Sequence, residues 1–580
     1  MKRTLESVIS TVLCVCMLVM SLSVANITAF AAEKNGFTYN VLDDGTVEIT
    51  RYTGTDTQIS IPSEIDGKSV TSIGDQAFIS CTGITSVVIP EGVKKIGGYA
   101  FAGCNSLKSV SIPQGVEILG EQAFYYCYNL GALSIPTGIT EIKFGTFYGC
   151  ASLSSVSIPD SVKSIGDQAF RFCSSLSGLV LPQELESIGE YAFAGCSSIQ
   201  NISIPDSVTS LGIGLFSDCE SLVSVDIPNG VERLSDEMFM NCSQLSSIEI
   251  SANVAEIGNE VFSGCGSLEE ITVSPLNECY SSSDGVLYDK NATTLIVCPG
   301  AKTSVEIPES VCCIGTYAFF GCWQLNEITL PKNVSTIEEM AFLGCFSLCE
   351  IKTAVDNEFL SSYDGALYNK DNTELIACPN GKTDIEFPSS TTKIGALSFA
   401  GCVNLTALSI PCGVTSIGGM AFLWCEQLAS ISIPATVSQM DLGMFSGCSS
   451  LESVTIPEGV TSIGEQFFWE CSSLKSVVIP NSVTSIDSGA FEGANESKIY
   501  GYYDSYAQNF ANSQGKNFVA MADADFDGVV NSNDYAIAVS AANASTVLSD
   551  EQKIVADVTC DGAVDAYDAI KIDLIVNGMI

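Results

Sequence analysis

A phenylalanine returns at a fixed interval of 23 residues through most of this 580-residue chain. The sixteen repeated positions form three groups, which run from Phe78 to Phe262, from Phe319 to Phe342 and from Phe399 to Phe491. Each of the two gaps between groups is 57 residues long, which is one repeat plus 34. Self-similarity at a short fixed period indicates a stack of equivalent coils rather than several ordinary globular domains.

Each repeat approximates the pattern L-x-x-V-x-I-P-x-x-V-x-x-I-G-x-x-A-F-x-G-C-x-S. In the copy that begins at Leu107, the inward alternation of Val110 and Ile112 predicts one short β-strand. Pro113 is expected to end this strand, because proline cannot donate the next hydrogen bond of the ladder. Every copy therefore supplies one strand at the same place in its coil.

In the second half of the same copy, Val116 and Ile118 are expected to form another apolar edge, and Gly120 to turn the chain. Ala123 and Phe124 are expected on a short helical or 3₁₀ segment. One such coil cannot bury its apolar side alone, whereas stacked coils can, through parallel strands roughly 4.8 Å apart. The sequence therefore predicts an α/β leucine-rich-repeat solenoid with short parallel strands.

A cysteine follows the repeated phenylalanine by three residues in fifteen of the sixteen copies, and the last copy has Ala494 instead. A position that repeats with the coil points the same way in every coil, so these thiols are expected to form a buried ladder. A small apolar cysteine with a weak S–H donor suits such a place. Disulfides are the alternative, although parallel Cβ vectors suit them poorly. A metal or catalytic use is a further alternative.

Charge and composition exclude several classes of function. The formal net charge is −43, which argues against nucleic acid as a partner, because phosphate binding needs clustered lysine and arginine. The chain contains no histidine, which removes Ser-His-Asp and Cys-His catalysis and most zinc sites.

The N-terminus has the layout of an export signal. Lys2 and Arg3 precede an apolar stretch from about Val8 to Val24, and residues 29–31 fit a small-x-small cleavage site. This pattern predicts a secretory signal peptide over residues 1–31. No later apolar run reaches about 18 residues, so no membrane span is expected and the mature protein is expected to be extracellular.

The units "IPxxVxxIGxxAFxGCxxL", from about residue 59 to 493, resemble the BspA-like leucine-rich-repeat family of bacterial surface proteins. The likeness extends to an N-terminal segment, residues 36–58, which predicts a cap hairpin around Gly45. It also extends to residues 494–519, which predict a cap of one short helix and one strand. Two 34-residue insertions interrupt the repeats, at about 274–307 and 354–387. The resemblance implies a surface or secreted binding protein rather than an enzyme.

The strand residues that flank each inward valine or isoleucine are expected to face solvent. They are mostly serine and threonine, with an acidic sector in the middle of the array, and they lack the aromatic and arginine anchors of tight protein interfaces. The predicted ligand face of the solenoid consists of Asp226, Glu249, Glu270, Glu327 and Glu350. A solvated surface without a ligand is the alternative.

The repeats stop before residue 522, and two related segments follow at an offset of 34 residues. Each places oxygen-bearing side chains alternately around a glycine and closes with an aspartate at its twelfth position. This spacing predicts two calcium ions. A solvated acidic turn is the alternative interpretation of one such loop. The predicted ligands are Asp523, Asp525, Asp527, Val529, Asn531 and Asp534 in the first loop, and Asp557, Thr559, Asp561, Ala563, Asp565 and Asp568 in the second.

Closure by aspartate, the short spacing and the terminal position make residues 522–580 resemble a type I dockerin. This small all-α module docks cellulosomal proteins onto a cohesin domain of a scaffoldin. The resemblance implies cohesin contacts at Ser532 and Asn533 in one copy, and at Ala566 and Tyr567 in the other. Because these pairs differ, the two copies are not expected to offer equivalent faces. Thr559 replaces the usual aspartate or asparagine, so the second calcium site is expected to be weaker.

These features favour a non-catalytic secreted protein. Its solenoid would mediate adhesion to protein, carbohydrate or cells, and its dockerin would attach it to a cellulosome engaged in polysaccharide catabolism. A freestanding surface adhesin is the alternative. A polysaccharide-degrading enzyme is a third hypothesis, which would need carboxylates such as Asp284 and Asp364 in the insertions, yet uniform repeats leave no room for a unique pocket.

Overall fold

The computed structural model describes residues 32–559, 563–577 and 579. The expected signal peptide over residues 1–31 lies outside the described residues, as do Cys560 and the predicted ligand Asp561. Within the described ranges, no helix is both long enough and apolar enough to cross a membrane.

An antiparallel hairpin opens the described chain. Its two strands are Phe37–Val41 and Val47–Tyr52, and a third strand, Ala32–Lys34, pairs antiparallel with the first of them. Gly45 takes a positive φ of 83° in the turn, and Val41 pairs with Val47 across it. The strand Val47–Tyr52 then pairs in parallel with Lys68–Ile73, which carries a short antiparallel partner at Glu64–Ile65. The hairpin thus covers the open edge of the first coil.

Each coil of the solenoid contributes a strand to a first parallel series, in which most neighbouring strands pair residues one repeat apart. Ser86, Val87 and Val88 pair with Ser109, Val110 and Ser111, for example. The first-series strands are Gln58–Ser60, Ser86–Val88, Ser109–Ser111, Leu133–Ser134, Ser155–Ser157, Gly178–Leu179, Asn201–Ser203, Ser224–Asp226, Ser247–Ile250, Glu270–Val273, Glu327–Leu330, Glu350–Thr353, Ala407–Ser409, Ser430–Ser432, Ser453–Thr455, Ser476–Val478, Lys498–Gly501 and Phe518–Ala520.

A second series of very short parallel strands follows Pro113 and its equivalents. These strands are Lys68–Ile73, Lys95–Ile96, Ile118–Leu119, Glu141–Ile142, Ser164–Ile165, Ser187–Ile188, Ser210–Leu211, Arg233–Leu234, Glu256–Ile257, Cys313–Ile314, Thr336–Ile337, Lys393–Ile394, Ser416–Ile417, Gln439–Met440, Ser462–Ile463 and Ser485–Ile486. The prediction that Ile118 belongs to the apolar edge was wrong: it is 47% exposed, whereas Leu119 is buried. The strand consists of Ile118 and Leu119 alone, and neighbouring strand residues point to opposite sides, so Ile118 faces outward when Leu119 faces inward.

Gly120 serves a different purpose from the predicted turn. A Cβ atom at this position would lie 2.4 Å from the backbone carbon of Gly97 in the preceding coil. No side chain fits within that distance. The glycine therefore permits close approach between successive coils.

The segment that carries Phe124 is a series of turns rather than the predicted helical or 3₁₀ segment. Gln122 and Tyr126, two residues on either side, have φ values of 53° and 54°, and this left-handed conformation interrupts any helix. The backbone N–H groups of Gln122, Phe124 and Tyr126 donate to carbonyls of the next coil at 2.7–2.9 Å. Glycine is common at the second left-handed position, as in Gly103 and Gly149, which explains its place in the repeat.

The repeated phenylalanines form a column inside the solenoid. From Phe78 to Phe262, neighbouring ring centroids are 4.9–5.9 Å apart and their planes lie within 17° of each other. Tyr52 of the N-terminal hairpin stacks on Phe78 at 5.5 Å, and Phe510 contacts Phe491 at 5.6 Å. Aromatic residues of both caps thus cover the ends of the column.

The predicted cysteine ladder is confirmed, and its thiols have a specific partner. The Sγ–H of Cys104 donates to the carbonyl oxygen of Phe78 in the preceding coil at 3.1 Å, and the same carbonyl accepts the backbone N–H of Cys81. This arrangement recurs along the array. The described cysteines are free thiols. Burial raises the pKa of Cys104, Cys196 and Cys265 to about 12.

The two insertions are copies of one structure, and each replaces part of a coil with an antiparallel meander. Their strands are Tyr280–Ser283, Val286–Asp289 and Thr294–Val297 in the first, and Leu360–Tyr363, Ala366–Asn369 and Glu374–Ala377 in the second. The last strand of each rejoins the second series. Cys322 donates to the carbonyl of Cys298 at 3.5 Å, so the insertion supplies the acceptor that a phenylalanine supplies elsewhere.

Four helices lie near the C-terminus, and we number them in chain order. Helix α1 (Tyr506–Gln514) lies between the strands Lys498–Gly501 and Phe518–Ala520. Helices α2 (Ser532–Ala542), α3 (Asp550–Ala556) and α4 (Ala566–Val576) follow. Helices α2 and α4 contact each other through a small core that contains Ala538, Ala569 and Ile572. The C-terminal module thus rests on few apolar residues, compared with the long core of the solenoid.

Candidate functional site

Helices α2 and α4 each begin at the end of a predicted calcium loop, and the loop residues themselves form the helix caps. Asn531 is the N-cap of α2 and forms a capping box with Asp534. Asp565 and Asp568 do the same for α4. The ninth and twelfth residues of each loop therefore start the helix as well as closing the loop.

In the first loop, Asp523, Asp525 and Asp527 converge. One carboxylate oxygen from each lies within 4.8 Å of the others. Gly528 has a φ of 87°, and its N–H donates to Asp523 Oδ2 at 3.0 Å. This turn brings the chain back toward its start, as a calcium loop requires at its sixth position.

Asp534 closes the first loop from a completely buried position. Its Oδ1 accepts the N–H of Asp525 at 3.1 Å, and its Oδ2 accepts the N–H of Asn531 at 2.8 Å. A carboxylate offers about four lone-pair sites, so two remain after these bonds. The hydrogen bonds fix the closing carboxylate without using up its capacity as a ligand.

One oxygen of the first loop shows that the residues fit a cation. Asp523 is 5% exposed, and its Oδ1 is buried without a hydrogen-bond partner among the described residues. Burial raises the pKa of the Asp523 carboxyl, and the nearby Asp534 and Asp525 raise it further. A buried acceptor without a partner costs free energy. A hard cation that prefers several oxygen ligands, as calcium does, would satisfy it.

The second loop repeats the hydrogen bonds of the first at an offset of 34 residues. The N–H groups of Thr559 and Asp565 donate to the two oxygens of Asp568, each at 2.9 Å. The N–H of Tyr567 donates to Asp565 Oδ1 at 2.7 Å, as that of Asn533 donates to Asn531 Oδ1. The two copies therefore share the framework that holds the closing aspartate.

The other predicted ligands of the second loop are described only in part. The Thr559 hydroxyl lies 3.5 Å from Asp557 Oδ1, Ala563 is exposed, and Asp561 lies outside the described residues. A hydroxyl stands where the first loop has the Asp525 carboxylate. Asp565 in turn stands where the first loop has Asn531, so both predicted ligand sets contain four aspartates and differ in where the neutral side chain lies.

All four residues predicted to contact cohesin are exposed: Ser532, Asn533, Ala566 and Tyr567. Tyr567 is 72% exposed and Ile570, three residues later on α4, is 57% exposed. Ile570 was not among the residues that the sequence predicted to contact cohesin, although its helical spacing from Tyr567 could have indicated it. Helix α4 therefore presents an apolar pair where the start of α2 presents polar side chains.

The predicted ligand face of the solenoid is exposed but divided. The first insertion lies between the strands Glu270–Val273 and Glu327–Leu330, which belong to separate two-stranded sheets, and a further interruption in pairing lies between Ser224–Asp226 and Ser247–Ile250. Asp226, Glu249 and Glu270 lie exposed before that break. After it, Lys352 Nζ contacts Glu327 at 2.6 Å and Glu350 at 3.3 Å. The acidic sector is thus two patches, and the second is partly neutralised.

Asp284 and Asp364, the carboxylates considered for an enzyme, occupy equivalent hairpin turns with φ values of 49° and 48°. Each forms an ion pair with a lysine of its own insertion, Asp284 with Lys302 at 3.3 Å and Asp364 with Lys382 at 3.0 Å. Their duplicated setting indicates a structural role in the turn.

Two family models match the chain. The model described as "BspA type Leucine rich repeat region" matches in 6 copies over residues 52–177, 163–284, 300–385 and 377–498. The model described as "Dockerin type I domain" matches residues 521–574. Among curated proteins, none matches.

Several solved structures are similar to the chain. A leucine rich cell surface protein from Faecalibacterium prausnitzii A2-165 is 27% identical, with 84% of this chain and 99% of that chain covered and a TM-score of 0.35. A leucine-rich repeat protein from Bacteroides ovatus is 22% identical, with 85% and 100% covered and a TM-score of 0.38. Pneumococcal vaccine antigen PcpA is 21% identical, with 84% and 98% covered and a TM-score of 0.29.

The repeat matches extend over well more than half of the chain and agree with the 23-residue coils, and the second match agrees with the paired loops and helices. The chain therefore belongs to the family of BspA type leucine-rich-repeat proteins and carries a C-terminal type I dockerin domain.

Proposed function

We propose that this protein is a non-catalytic binding protein of the cell exterior that attaches to a cohesin-bearing scaffoldin through its dockerin and presents its solenoid as a recognition surface. The observation that carries the proposal is the unpartnered, buried Oδ1 of Asp523 within a loop whose hydrogen bonds recur in a second copy. Two such loops, each leading into a helix, form a metal-organised docking pair.

In the first site, Asp523, Asp525, Asp527 and Asp534 supply carboxylates, Val529 its carbonyl and Asn531 its side chain. In the second, Asp557, Thr559, Asp565 and Asp568 take the corresponding places, with the carbonyl of Ala563. We propose two calcium ions, which when bound neutralise these carboxylates. The loops then hold the starts of α2 and α4 in fixed positions, because Asp534 and Asp568 cap those helices.

We propose that cohesin binds chiefly to the start of α4. Tyr567 and Ile570 are exposed apolar residues on this helix, and exposed aromatic side chains commonly dominate protein interfaces. Ser532 and Asn533 at the start of α2 offer hydrogen bonds but little apolar area. The two copies would then bind one cohesin with unequal strength, rather than serve as interchangeable faces.

Binding of the full chain to a panel of cohesin domains tests the proposal. At least one cohesin is expected to bind in millimolar calcium and to be released by EDTA. Tyr567→Ala is expected to weaken that binding at least about 30-fold, the effect of losing an interface hot spot of 2 kcal/mol. Asn533→Ala is the matched control at the equivalent place in the other copy, with a smaller effect. Failure of every cohesin to bind would favour a freestanding adhesin.

For the solenoid, we propose the patch of Asp226, Glu249 and Glu270 as the ligand surface, since no lysine contact among the described residues neutralises it as Lys352 neutralises Glu327 and Glu350. A ligand with positive charge would suit this patch. A pull-down from the native culture with a variant carrying serine at all three positions is expected to lose partners that the wild-type chain retains. Serine at Glu327 and Glu350 is the control and is expected to retain them.

A further inference from the structure

The solenoid and the dockerin are joined without a linker. The strand Phe518–Ala520 pairs with Lys498–Gly501, and the next residue, Met521, donates from its N–H to the carbonyl of Gly501 at 2.7 Å. Ala522 then donates to the carbonyl of Val555 in α3 at 2.8 Å. The first calcium loop thus begins directly where the last solenoid strand ends.

A shared apolar cluster joins the two parts. Its buried members are Tyr500, Met521, Ala524, Leu548, Val555 and Ala556. The Tyr500 hydroxyl and Lys498 Nζ both contact Glu551 Oε1 of α3, at 3.2 and 2.8 Å. The contact is specific as well as apolar, because Glu551 accepts hydrogen bonds from Tyr500 and Lys498, which lie on one strand.

Two consecutive tyrosines of the cap each contact one calcium loop. The Tyr503 hydroxyl lies 3.3 Å from Asp523 Oδ2, the ligand residue that opens the first loop. The Tyr502 hydroxyl lies 3.2 Å from the carbonyl of Val558, which lies beside Asp557 in the second loop. Both tyrosines precede the dockerin by about twenty residues in the sequence, and α1 separates them from it.

We propose that Tyr503 is a positioning residue for the first calcium site, so that the solenoid cap sets the calcium affinity of the dockerin. Asp523 Oδ2 accepts one hydrogen bond from the Gly528 N–H and one from the Tyr503 hydroxyl. These two donors hold the carboxylate so that Oδ1, which has no partner, is the oxygen left for the ion. Outer donors of this kind commonly change metal affinity 10- to 100-fold.

The inference rests on the proposed calcium binding, and the experiment separates the two. Calcium is titrated calorimetrically into the full chain, its Tyr503→Phe variant and a Tyr506→Phe control. Tyr503 and Tyr506 are 40% and 43% exposed, and both variants keep the ring. We expect Tyr503→Phe to weaken one of the two sites about tenfold and Tyr506→Phe to change neither.

Thermal unfolding distinguishes a positioning role of Tyr503 from a purely structural role. If Tyr503 positions a ligand, the rise in Tm on adding calcium shrinks in Tyr503→Phe while the Tm in EDTA stays that of the wild type. If the hydroxyl only stabilises the contact, both Tm values fall together and the proposal is overturned. Equal calcium affinities in the two variants also overturn it. Absence of calcium binding to the wild-type chain would instead refute the proposed function.

Discussion

A coil of the solenoid and a loop of the dockerin both bury polar atoms, but they satisfy these atoms in different ways. In the solenoid, the buried thiol of Cys196 donates to the carbonyl of Phe170 in the preceding coil. The polar atoms that the solenoid buries without a partner among the described residues include the neutral hydroxyls of Tyr288, Tyr368 and Ser398. In the first dockerin loop, Asp523 Oδ1 is buried and has no hydrogen-bond partner in the part of the chain that the structure describes. Burying an unpaired carboxylate costs much more free energy than burying an unpaired neutral hydroxyl, so the dockerin loop is the region that needs an ion.

The two regions can be followed separately in the same sample. The three tryptophans, Trp323, Trp424 and Trp469, lie in the solenoid, so their fluorescence reports on that region. The helices that the structure describes lie between residues 506 and 576, so helical circular dichroism reports on the cap and the dockerin. Tryptophan fluorescence therefore follows the urea unfolding of the solenoid in the stability predictions below.

Alkaline pH is expected to have the largest effect, and on the solenoid. The thiols of Cys104, Cys196 and Cys265 have a pKa of about 12 in the folded chain, against an ordinary value of 9.0. Between these values the unfolded chain binds fewer protons, so each thiol lowers stability by about 1.4 kcal/mol per pH unit. The contribution of each buried thiol to the free energy of unfolding is complete below pH 9.0 and is lost as pH rises toward 12.

Urea unfolding followed by tryptophan fluorescence at a series of alkaline pH values measures this slope. A variant with alanine at Cys104, Cys196 and Cys265 is expected to release about three fewer protons on unfolding than the wild type. An unchanged slope would show that these thiols ionise as readily in the folded chain as in the unfolded one.

Removal of one ring from the aromatic column is expected to come next. Phe193 is completely buried between Phe170 and Phe216, with ring centroids at 5.6 and 5.9 Å. Phe193→Ala is expected to cost about 3–5 kcal/mol of the free energy of unfolding. The control is Phe346→Ala, whose side chain is 44% exposed and which is expected to change stability by less than about 0.5 kcal/mol. Similar losses in both variants would contradict the column.

Periodicity explains how much of the solenoid could be predicted from the sequence. A 23-residue repeat forces every coil to place Cys alike, so the thiol ladder followed from the pattern alone. The stacked phenylalanine rings have the same period but were not predicted. Ile118 was misplaced because two apolar residues, Ile118 and Leu119, stand side by side, and only the pairing register decides which of them points inward. The left-handed residues beside Phe124 carry ordinary side chains, so composition gave no sign of them.

The convergence of Asp523, Asp525 and Asp527 could also be predicted, because ligand spacing is a local property of the chain. The contact of Tyr503 with Asp523 could not, since two distant stretches meet only after the last strand and α1 have folded. The division of the acidic face also depends on three-dimensional structure. The insertion between Glu270 and Glu327 is visible in the sequence, but its place in the sheet is not.

Loss of a closing aspartate is expected to affect the dockerin alone. Asp534→Ala should remove one bound calcium and, at a free concentration of 100 times Kd, about 2.7 kcal/mol of calcium-dependent stability. Asp568→Ala should have a smaller effect, because the second loop has Thr559 in place of a carboxylate. Calorimetric counting of bound calcium, with Asp550→Ala outside both loops as control, checks both. Equal losses from Asp534→Ala and Asp568→Ala would refute the asymmetry.

The smallest effect is expected from a single thiol of the ladder. Cys196→Ala removes one weak hydrogen bond and a small buried volume, and should cost about 1 kcal/mol in urea unfolding. Cys412→Ala, at an exposed cysteine outside the ladder, serves as control and should leave stability unchanged. A neutral Cys196→Ala would mean that the Sγ–H donor contributes nothing to the stacking of coils.

Hydrogen–deuterium exchange of the full chain, in calcium and in EDTA, tests the central claim most directly. We predict that amides of α2 and α4 lose protection when calcium is removed. Amides of the solenoid, from the strand Gln58–Ser60 to the strand Ser476–Val478, are expected to exchange at the same rate in both conditions. Equal protection of α2 and α4 in calcium and in EDTA, or loss of protection throughout the solenoid, would contradict it.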